Sequence, residues 1–520
     1  MAVIVTATPP TPNGDLHVGH LAGPYFAADA YARHQRQLGN EVVYLSSGDD
    51  HQSYVVDTAR RKEMDPLALA DAGNRDIRAT LAAAEIGIDV FNRPDAAHRA
   101  FVTAFMTRLY QSGKFTVRTS PVWRDRRTGE RLFEAHVVGY CPNCLLPTKG
   151  GICESCGHPN TIGDLLHRRP VGGHPDDIEQ TQEPVLWFPI EPYRARIAAF
   201  LEDRSDVLRP RIADLVRTLM EEPLADFQMS FVSDWGIPVP FAGLQGNVFN
   251  VWAEMLPGLM HSTSLCPGMP PDGLASWASN SGNRLVQFLG YDNSYFFIIV
   301  HLALLCAAEE DLLLPEAIVT NEFYQLEGAK FSTSQNHVIW GRDLLKTHSV
   351  DAARFYMALT NPETQQTDFR LDAMESTIRE RVIAPYERLR RKLSAGASSI
   401  SGETAGPSQA VIALADRLEQ SYALERFSLA RSAQDICGFL AYLDDTVPAE
   451  PNATQRGMLW DAIAALSVFA APLVPGFAGR LAEATGLEED NNWHRWRCGA
   501  RNAITPENLP AFTLRRAGTP

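Results

Sequence analysis

The chain has 520 residues, of which 45% are hydrophobic and 21% charged, and it carries a formal net charge of −15 at pH 7. A chain of this length exceeds one compact core, so we expect roughly two to four domains. The composition is that of an ordinary globular protein, and the negative charge argues only weakly against a nucleic-acid partner, because an acidic protein can still carry a local basic patch.

Two further features bear on where the protein acts. The start, Met1 to Ile4, has no basic n-region, so no secretory signal is visible. The longest apolar run, Phe296 to Ala308, is too short to span a bilayer and predicts a buried helix. We therefore expect a cytoplasmic protein that is not embedded in a membrane.

The first predicted elements are a strand and a helix, joined by a loop that carries two histidines. Ala2 to Val5 is an apolar run typical of a buried strand, and Leu21 to Gly39 has helical spacing. Between them, His17 and His20 fall on one face of a first helical turn. A helix N-terminus that faces a strand end can bind phosphate, while the alternative is two surface histidines at a helix cap.

A second predicted strand also ends in polar residues. The segment NEVVYLSSGDDH, from Asn40 to His51, predicts a strand that ends in Asp49, Asp50 and His51. Open α/β sheets bind their ligands at this edge. Further strand signals lie at 246–252, 283–292 and 316–328. From about residue 350 onward the patterns are mostly helical.

Four of the eight cysteines form two C-x-x-C pairs within CPNCLLPTKGGICESCG. Each pair presents two sulfurs to one point, and two pairs complete the tetrahedral thiolate shell that Zn²⁺ prefers, whereas disulfides are disfavoured in a cytosolic chain. No open ligand position is evident, so we expect a structural zinc site. The predicted ligands are Cys141, Cys144, Cys153 and Cys156. The other cysteines, expected to be buried small apolar residues, are Cys266, Cys306, Cys437 and Cys498.

These patterns predict an α/β nucleotide-binding domain, split by a zinc-bearing insertion and followed by a helical domain. Several motifs also carry a family resemblance. HVGH, at His17 to His20, resembles the HIGH signature of class I aminoacyl-tRNA synthetases, and KFSTS, at Lys330 to Ser334, resembles their KMSKS loop. The order of PPTPNGDLHVGHL, SSGDDH, WGIPVP, FLGYD and GAKFSTS is similar to that of methionyl-tRNA synthetases over nearly the whole chain.

The resemblance implies a Rossmann-type parallel-sheet catalytic domain with a zinc-knuckle insertion and a C-terminal helical-bundle domain. The implied segments are 1–115 and 225–330 for the split catalytic domain, 116–224 for the connective insertion with the knuckle, 331–378 for the KMSKS-like loop and linking region, and 379–520 for a helical anticodon-binding-like domain. We expect a monomer.

By the same resemblance, the chain uses ATP and Mg²⁺ to activate an amino acid. Attack of the amino-acid carboxylate on the α-phosphate depends on positioning and electrostatic stabilisation. The implied catalytic residues are His17, His20 and Lys330, and the implied ATP-binding residues are Gly19, Gly290, Asp292, Ser332 and Ser334. Two expected cations are missing, since Thr333 replaces a lysine and Phe231 an arginine, and Arg284 is a candidate to compensate.

The implied amino-acid pocket departs from the family pattern. Its members are Pro9, Thr11, Asp49, Trp252, Met255, Leu256, Leu259 and Phe297. Asp49 would hold the substrate ammonium, although a carboxylate that only caps a turn is the alternative. Met255 and Leu256 are larger than the family residues and should shrink the pocket, while Thr11 and Leu259 give some volume back. We therefore expect a smaller or different amino acid than methionine.

The implied tRNA-binding features are also altered. Arg388 and Lys392 occupy the positions of an anticodon-reading asparagine and arginine, and Ala449 replaces a tryptophan. Loss of the aromatic ring removes a base-stacking platform worth ~1–3 kcal/mol. The basic side chains of this helix could bind phosphates without reading the RNA sequence, and the alternative is a solvated helix face. They are Arg388, Arg390, Arg391 and Lys392.

We expect ATP-dependent amino-acid activation through an aminoacyl-adenylate, with altered specificity and transfer to a non-tRNA acceptor in a biosynthetic pathway. A small-molecule acceptor such as a hydroxylamine, as in hydrazine-forming systems, would fit, with a partner protein supplying any further step. One alternative is an orthodox methionine–tRNA ligase that acts on tRNA. The other is a non-catalytic regulatory paralog, against which the retained motif residues argue.

Overall fold

The structure is a computed structural model that describes residues 1–308, 310–331, 337–394, 407–487, 492–498 and 508–516. The chain forms two compact units. The first comprises Met1–Asp15, Val43–Arg78 and Ile88–Thr320, and the second comprises Leu16–Val42, Ala79–Gly87 and Asn321–Pro520. The residue boundaries of the domains that the family resemblance implies stay predictions.

The first unit is built on a five-stranded sheet. Its strands, in order across the sheet, are Ala317–Asn321, Arg284–Gly290, Ala2–Ala7, Glu41–Ser47 and Val90–Asn92. Ala2–Ala7 pairs in parallel with Arg284–Gly290, and Glu41–Ser47 pairs in parallel with Val90–Asn92. Every residue of Ala2–Ala7 is buried, which is typical of a central strand in an α/β sheet.

Helices connect and follow these strands. Those of the first unit are Ser53–Arg61, Ala96–Gln111, Arg194–Asp203, Pro210–Leu219, Val251–Ser264, Gly273–Ser276 and Leu302–Ala307, while Pro66–Ala83 begins in this unit and ends in the second. The predicted buried helix is a π-helix, Phe296–His301, that continues into Leu302–Ala307, and all of these residues are buried. Over the described ranges, no helix is both long and apolar enough to cross a bilayer.

The insertion consists mainly of antiparallel strands. Its longest pair is Thr116–Asp125 with Ile178–Phe188. The other insertion strands are Arg131–Leu132, Val137–Tyr140, Pro147–Lys149, Gly151–Ile152, Pro159–Asn160, Leu166–Pro170 and Phe227–Gln228. A further antiparallel pair, Ser230–Val232 with Asn247–Phe249, leads back to the helix Val251–Ser264.

The second unit is mostly helical. Its helices are Val18–His20, Leu21–Tyr25, Phe26–Gln37, Gly341–Thr347, Val350–Leu359, Leu371–Ile378, Arg379–Ile383, Ala384–Ser394, Gln409–Tyr422, Leu429–Thr446, Ala453–Phe469 and Pro475–Thr485, with short 3-10 turns at Leu424–Arg426 and Trp493–Cys498. A small sheet contains Ala329–Lys330, Tyr324–Leu326 and Thr367–Phe369. The predicted fold class is thereby confirmed: a parallel sheet with helices, an insertion that carries the cysteine pairs, and C-terminal helices.

A buried arginine ties the segments of the second unit together. The Arg354 side chain is fully buried and its guanidinium donates to Asp29 Oδ2 at 2.6 Å. The same guanidinium donates to four backbone carbonyls, those of Ala84, Glu85, Pro472 and Leu473. Burial opposes ionisation of Asp29, but the charges of Arg354 and Arg33 outweigh it, so the pKa of this carboxyl is lowered.

Replacing Arg354 with methionine should destabilise the second unit by ~3–5 kcal/mol, because the buried Asp29 carboxylate keeps only Arg33 as a cationic partner and four carbonyls lose this donor. Denaturant unfolding followed by fluorescence would measure the loss. Arg431→Met, at an exposed arginine of the same unit, is the matched control and should change stability by less than ~0.5 kcal/mol. Equal stability of the two variants would contradict the role assigned to Arg354.

Candidate active site

The HVGH segment starts the first helix of the second unit. His17 caps the helix Val18–His20: its ring accepts a hydrogen bond from the His20 N–H, and the His17 N–H donates to His20 Nδ1, both at 3.3 Å. The two rings stack with centroids 3.6 Å apart, and Phe331 stacks on His17 at 4.4 Å. A Cβ on Gly19 would lie 3.0 Å from the His17 ring and 3.1 Å from Phe331, so this position favours glycine.

The surroundings of both imidazoles favour their neutral form. Enclosure by protein atoms, followed by the charges of His20 and Lys330, lowers the pKa of His17 well below its usual range. Enclosure and the Lys330 ammonium lower the pKa of His20 to about 4, although the residue is still accessible to solvent. Because a neutral imidazole keeps one N–H donor, the stacked pair offers hydrogen bonds rather than positive charge.

Lys330 supplies a positive charge near this pair. It ends the strand Ala329–Lys330, which pairs with Tyr324–Leu326. Its ammonium lies 5.0 Å from the centre of the Phe323 ring, a cation–π contact. The second unit thus brings together the three residues predicted to be catalytic. The predicted ATP-binding residues Ser332 and Ser334, and Thr333 between them, lie outside the described residues.

Asp49 lies just beyond the strand Glu41–Ser47 in the first unit. Its Oδ2 accepts a hydrogen bond from Thr11 Oγ1 at 3.1 Å, whereas its Oδ1 has no hydrogen-bond partner within the described part of the chain. Burial raises the pKa of Asp49 well above its usual range; the Thr11 hydrogen bond opposes this shift, and the charges of Glu254 and Glu134 add to it. An approaching ammonium would supply both the missing donor and the missing positive charge.

The apolar side of the predicted amino-acid pocket is carried mainly by the helix Val251–Ser264. Asn250 caps this helix by accepting a hydrogen bond from the Trp252 N–H, and the Trp252 indole stacks on Phe296 with centroids 3.8 Å apart. Four predicted members are at most 4% exposed and belong to the hydrophobic core: Met255, Leu256, Leu259 and Phe297. Pro9 is also buried and Thr11 half-buried.

The same helix carries a buried carboxylate, Glu254, which contacts two histidines from other segments. This network was not predicted from the sequence. Glu254 Oε2 lies 2.8 Å from His51 Nδ1, and Glu254 Oε1 lies 3.0 Å from His98 Nε2. Burial opposes ionisation of Glu254, but the two imidazoles outweigh it and hold its pKa at about 2. His51 belongs to the SSGDDH motif, while no local pattern marks His98, because the network joins segments that are far apart in sequence.

Glu134 is a second unpredicted carboxylate, and it comes from the insertion. It starts the 3-10 turn Glu134–His136, is 6% exposed, and accepts a hydrogen bond from Ser53 Oγ at 3.3 Å. Burial raises the pKa of Glu134 to about 7, against the opposing effects of Ser53 and of the nearby Trp252 side chain. Since Trp252 is a predicted pocket residue, the insertion contributes a carboxyl group at its edge.

Gly290 and Asp292 lie at the end of the strand Arg284–Gly290. Asp292 belongs to the 3-10 turn Tyr291–Asn293 and accepts a hydrogen bond from Asn293 Nδ2 at 2.9 Å. A Cβ on Gly290 would lie 2.6 Å from Asp292 Oδ1, so a larger residue there would displace the carboxylate. The Tyr291 hydroxyl donates to the Cys156 carbonyl at 3.0 Å, which links this turn to the cysteine pairs.

Phe231, which replaces the expected arginine, and Arg284, the candidate to compensate for that loss, both have other partners in the first unit. Phe231 stacks on Phe133 with ring centroids 4.9 Å apart, so an aromatic contact occupies the position where the resemblance expects a cation. Arg284 forms a two-point ion pair with Glu316, at 2.6 and 2.8 Å. That pairing ties Arg284 to a neighbouring strand end and argues against its serving as the replacement cation.

The two C-x-x-C pairs converge. All four cysteine sulfurs lie within 4.8 Å of one another, with Cys141 Sγ 3.8 Å from Cys156 Sγ and Cys144 Sγ 3.6 Å from Cys153 Sγ. Four sulfurs at ~2.3 Å from one Zn²⁺ in a tetrahedron are ~3.8 Å apart, so the cluster is compatible with zinc. Cys266, Cys306 and Cys437 are buried, as expected, and the side chain of Cys498 lies outside the described part of the chain.

The positions predicted to correspond to an anticodon reader are occupied by internal ion pairs in the second unit. Arg388 Nε donates to Asp444 Oδ2 at 2.7 Å. Lys392 Nζ lies 3.2 Å from Asp444 Oδ1 and donates to the Val447 carbonyl at 2.8 Å. Ala449 is exposed and offers no ring for stacking. One aspartate therefore pairs with both basic side chains, and its single negative charge offsets one of their two positive charges.

Known proteins resemble the chain over most of its length. The model of the family described as tRNA synthetases class I (M) matches residues 3–390. The Methionine--tRNA ligase of Bacteroides fragilis is 29% identical over 388 residues, which cover 74% of this chain and 56% of the relative. That of Porphyromonas gingivalis is 30% identical over 373 residues, 70% of this chain and 54% of the relative. The chain thus spans little more than half the length of these curated relatives.

Solved structures share the fold. The Mycobacterium tuberculosis methionyl-tRNA synthetase bound by methionyl-adenylate superimposes with a TM-score of 0.76 and 19% identity, covering 99% of both chains. At this identity the likeness is one of fold. The family model, by contrast, matches motif and spacing over most of the sequence, and the chain therefore belongs to the family of class I tRNA synthetases (M).

Proposed function

We propose that the chain activates an amino acid with ATP and Mg²⁺ to form an aminoacyl-adenylate, that its specificity differs from methionine, and that it transfers the aminoacyl group to an acceptor other than tRNA. The observation that carries the last part is the pairing of both Arg388 and Lys392 with Asp444. Family membership and the retained motif residues support the first part.

The proposed activation step gives each retained motif residue a task. His17 and His20 donate hydrogen bonds to phosphate oxygens, while the Lys330 ammonium stabilises the negative charge that develops there. Asp49 holds the substrate ammonium and Asp292 the ATP ribose. The remaining proposed ATP contacts are Gly19, Gly290, Ser332 and Ser334.

The proposed change of amino acid rests on how tightly the pocket residues are packed. Met255 and Leu256 are at most 4% exposed and replace smaller residues expected from the family pattern. A packed core responds to added volume with strain or with displaced side chains. A long substrate side chain therefore fits poorly next to Met255 and Leu256. Small amino acids such as glycine, alanine and serine suit this site better than methionine.

The proposed acceptor follows from charge. A tRNA contact gains affinity by neutralising phosphates with free cations. Arg388 and Lys392 are each within 3.2 Å of an Asp444 oxygen, so phosphate would have to displace an existing carboxylate. A small molecule with a nucleophilic oxygen or nitrogen, such as a hydroxylamine, makes no such demand. A partner protein would then carry out later steps of the pathway.

A second candidate function, methionine–tRNA ligation, is favoured by one observation. The relatives reported above are named Methionine--tRNA ligase, and a structural neighbour holds methionyl-adenylate. Both candidates share the adenylation step, so they differ only in amino acid and acceptor.

The four clustered cysteines would hold one Zn²⁺ per chain, with a structural role, because four thiolates leave no open position for substrate. We expect Cys144→Ser to lower the zinc content and the melting temperature, since metal binding and folding of such a knuckle are coupled. Metal analysis by mass spectrometry and a thermal melt measure both. Cys306→Ser, at a buried cysteine outside the cluster, should retain one zinc, and unchanged zinc in Cys144→Ser would refute the assignment.

Amino-acid-dependent exchange of pyrophosphate into ATP tests activation. Across the twenty standard amino acids we expect a small one to exceed methionine by tens to hundreds of fold in kcat/KM, because one methylene of misfit is worth ~1–3 kcal/mol. His20→Ala should lower the rate ~100–1,000-fold by removing a donor to the phosphates. His174→Ala, at an exposed insertion histidine, serves as the control. Exchange with methionine alone would contradict the pocket argument.

Charging and binding of tRNA test the acceptor. The wild-type enzyme should not charge a methionine tRNA through its CAU anticodon at a useful rate. Asp444→Asn releases Arg388 and loosens Lys392, so tRNA affinity at low salt should rise with a salt slope steeper by ~0.9 per phosphate gained, independent of the anticodon. Asp435→Asn removes a charge from the same helix as a control. Efficient CAU-dependent charging by the wild type would restore the second candidate.

A further inference from the structure

The wall of the pocket beside Asp49 carries buried hydrogen-bond acceptors that lack donors. Asp49 is 4% exposed and Gln52 is 2% exposed. Within the described residues, neither Asp49 Oδ1 nor Gln52 Oε1 has a hydrogen-bond partner. The Gln52 side chain lies close enough to Asp49 to oppose the raised pKa of that carboxyl, so the two unpaired acceptors belong to one buried group of side chains. Buried acceptors are normally satisfied, so an unpaired pair here indicates a ligand that brings donors.

Glu134 adds a third acceptor, and the backbone holds it in a strained conformation. Its φ is +42°, a left-handed value that non-glycine residues adopt rarely and that is concentrated at functional sites. Ser53 Oγ accepts from the Ala135 N–H at 3.2 Å and donates to Glu134 Oε2 at 3.3 Å. The Gly150 N–H donates to the Glu134 carbonyl at 3.2 Å. Both ends of the turn are therefore fixed.

Charge balance distinguishes Asp49 and Glu134 from other buried carboxylates of the first unit. Glu254 has two imidazoles, and Asp50 has Arg93 at 2.6 Å. For Asp49 and Glu134, by contrast, the groups that act on them are hydroxyl, amide and indole donors or other carboxylates. The α-ammonium proposed to bind Asp49 uses one of these acceptors and leaves Gln52 and Glu134 available for another part of the substrate.

We propose that Gln52 and Glu134 read the substrate side chain, and that the activated amino acid carries a short side chain ending in a hydrogen-bond donor, a hydroxyl or an ammonium. This inference rests on the proposed amino-acid activation and narrows its substrate class. The side chain is short because Met255 and Leu256 limit the depth of the pocket. A site built to hydrogen-bond its substrate rejects an analogue that lacks the donor, because the buried acceptors then stay unpaired.

Three amino acids of similar size test the inference by pyrophosphate exchange: alanine has no donor, serine has a hydroxyl and 2,3-diaminopropionate an ammonium. We expect kcat/KM for serine or 2,3-diaminopropionate to exceed that for alanine by about 100-fold or more. Glu134→Leu and Gln52→Leu should each lower that ratio at least tenfold, with an order of magnitude taken as the smallest meaningful change. Glu179→Gln, at an exposed insertion carboxylate, should leave the ratio unchanged.

The conservative variant Glu134→Gln keeps an acceptor oxygen but loses the charge. It should retain a preference for serine and lose a preference for 2,3-diaminopropionate, which separates the two donors even if Glu134→Leu fails to fold. Equal exchange with alanine would overturn the inference while leaving activation intact, as would a donor preference that none of the three variants changes. Absence of exchange, and of calorimetric binding, with every amino acid would reject the proposed activation itself.

Discussion

Three carboxylates buried together in the first unit are the constraint on which the candidate site depends. Glu254 is matched by two imidazoles, whereas Asp49 and Glu134 are held by neutral donors. Taking an ion out of water costs several kcal/mol, so without a cation the pKa of Glu134 stays at about 7 and that of Asp49 high. The substrate ammonium proposed to bind Asp49 would reverse this balance and couple substrate binding to ionisation of the pocket.

Several cationic side chains elsewhere in the chain form internal ion pairs. Arg354 is buried against Asp29 and four carbonyls, Arg284 is paired with Glu316, and Asp444 holds both Arg388 and Lys392. These pairs stabilise helices and strand ends, and at Arg388 and Lys392 a carboxylate already occupies the contact that a phosphate would make. The His17–His20 stack also presents hydrogen-bond donors. For the proposed adenylation step, a slow rate is the expected consequence.

Local patterns in the sequence were sufficient to predict the fold class and the cysteine cluster. An apolar run predicted the central strand, and the cysteine spacing predicted the cluster, because both depend on neighbours in the chain. Glu134, His98 and Gln52 could not be found in this way. Their roles come from contacts across long sequence separations and, for Glu134, from a positive φ that no residue pattern indicates. The stacking of Phe231 on Phe133 could not be predicted either, because it also joins residues that are far apart in the sequence.

The origin of Glu134 links the cysteine cluster to specificity. The Gly150 N–H that fixes the Glu134 carbonyl lies between the strands Pro147–Lys149 and Gly151–Ile152. A Cβ on Gly150 would lie 3.2 Å from the Glu134 Cα and carbonyl oxygen, so the two backbones are in direct contact. Those strands run between the two cysteine pairs. A metal bound there would therefore fix the segment that contacts Glu134, and a structural site could influence the choice of amino acid without touching the substrate.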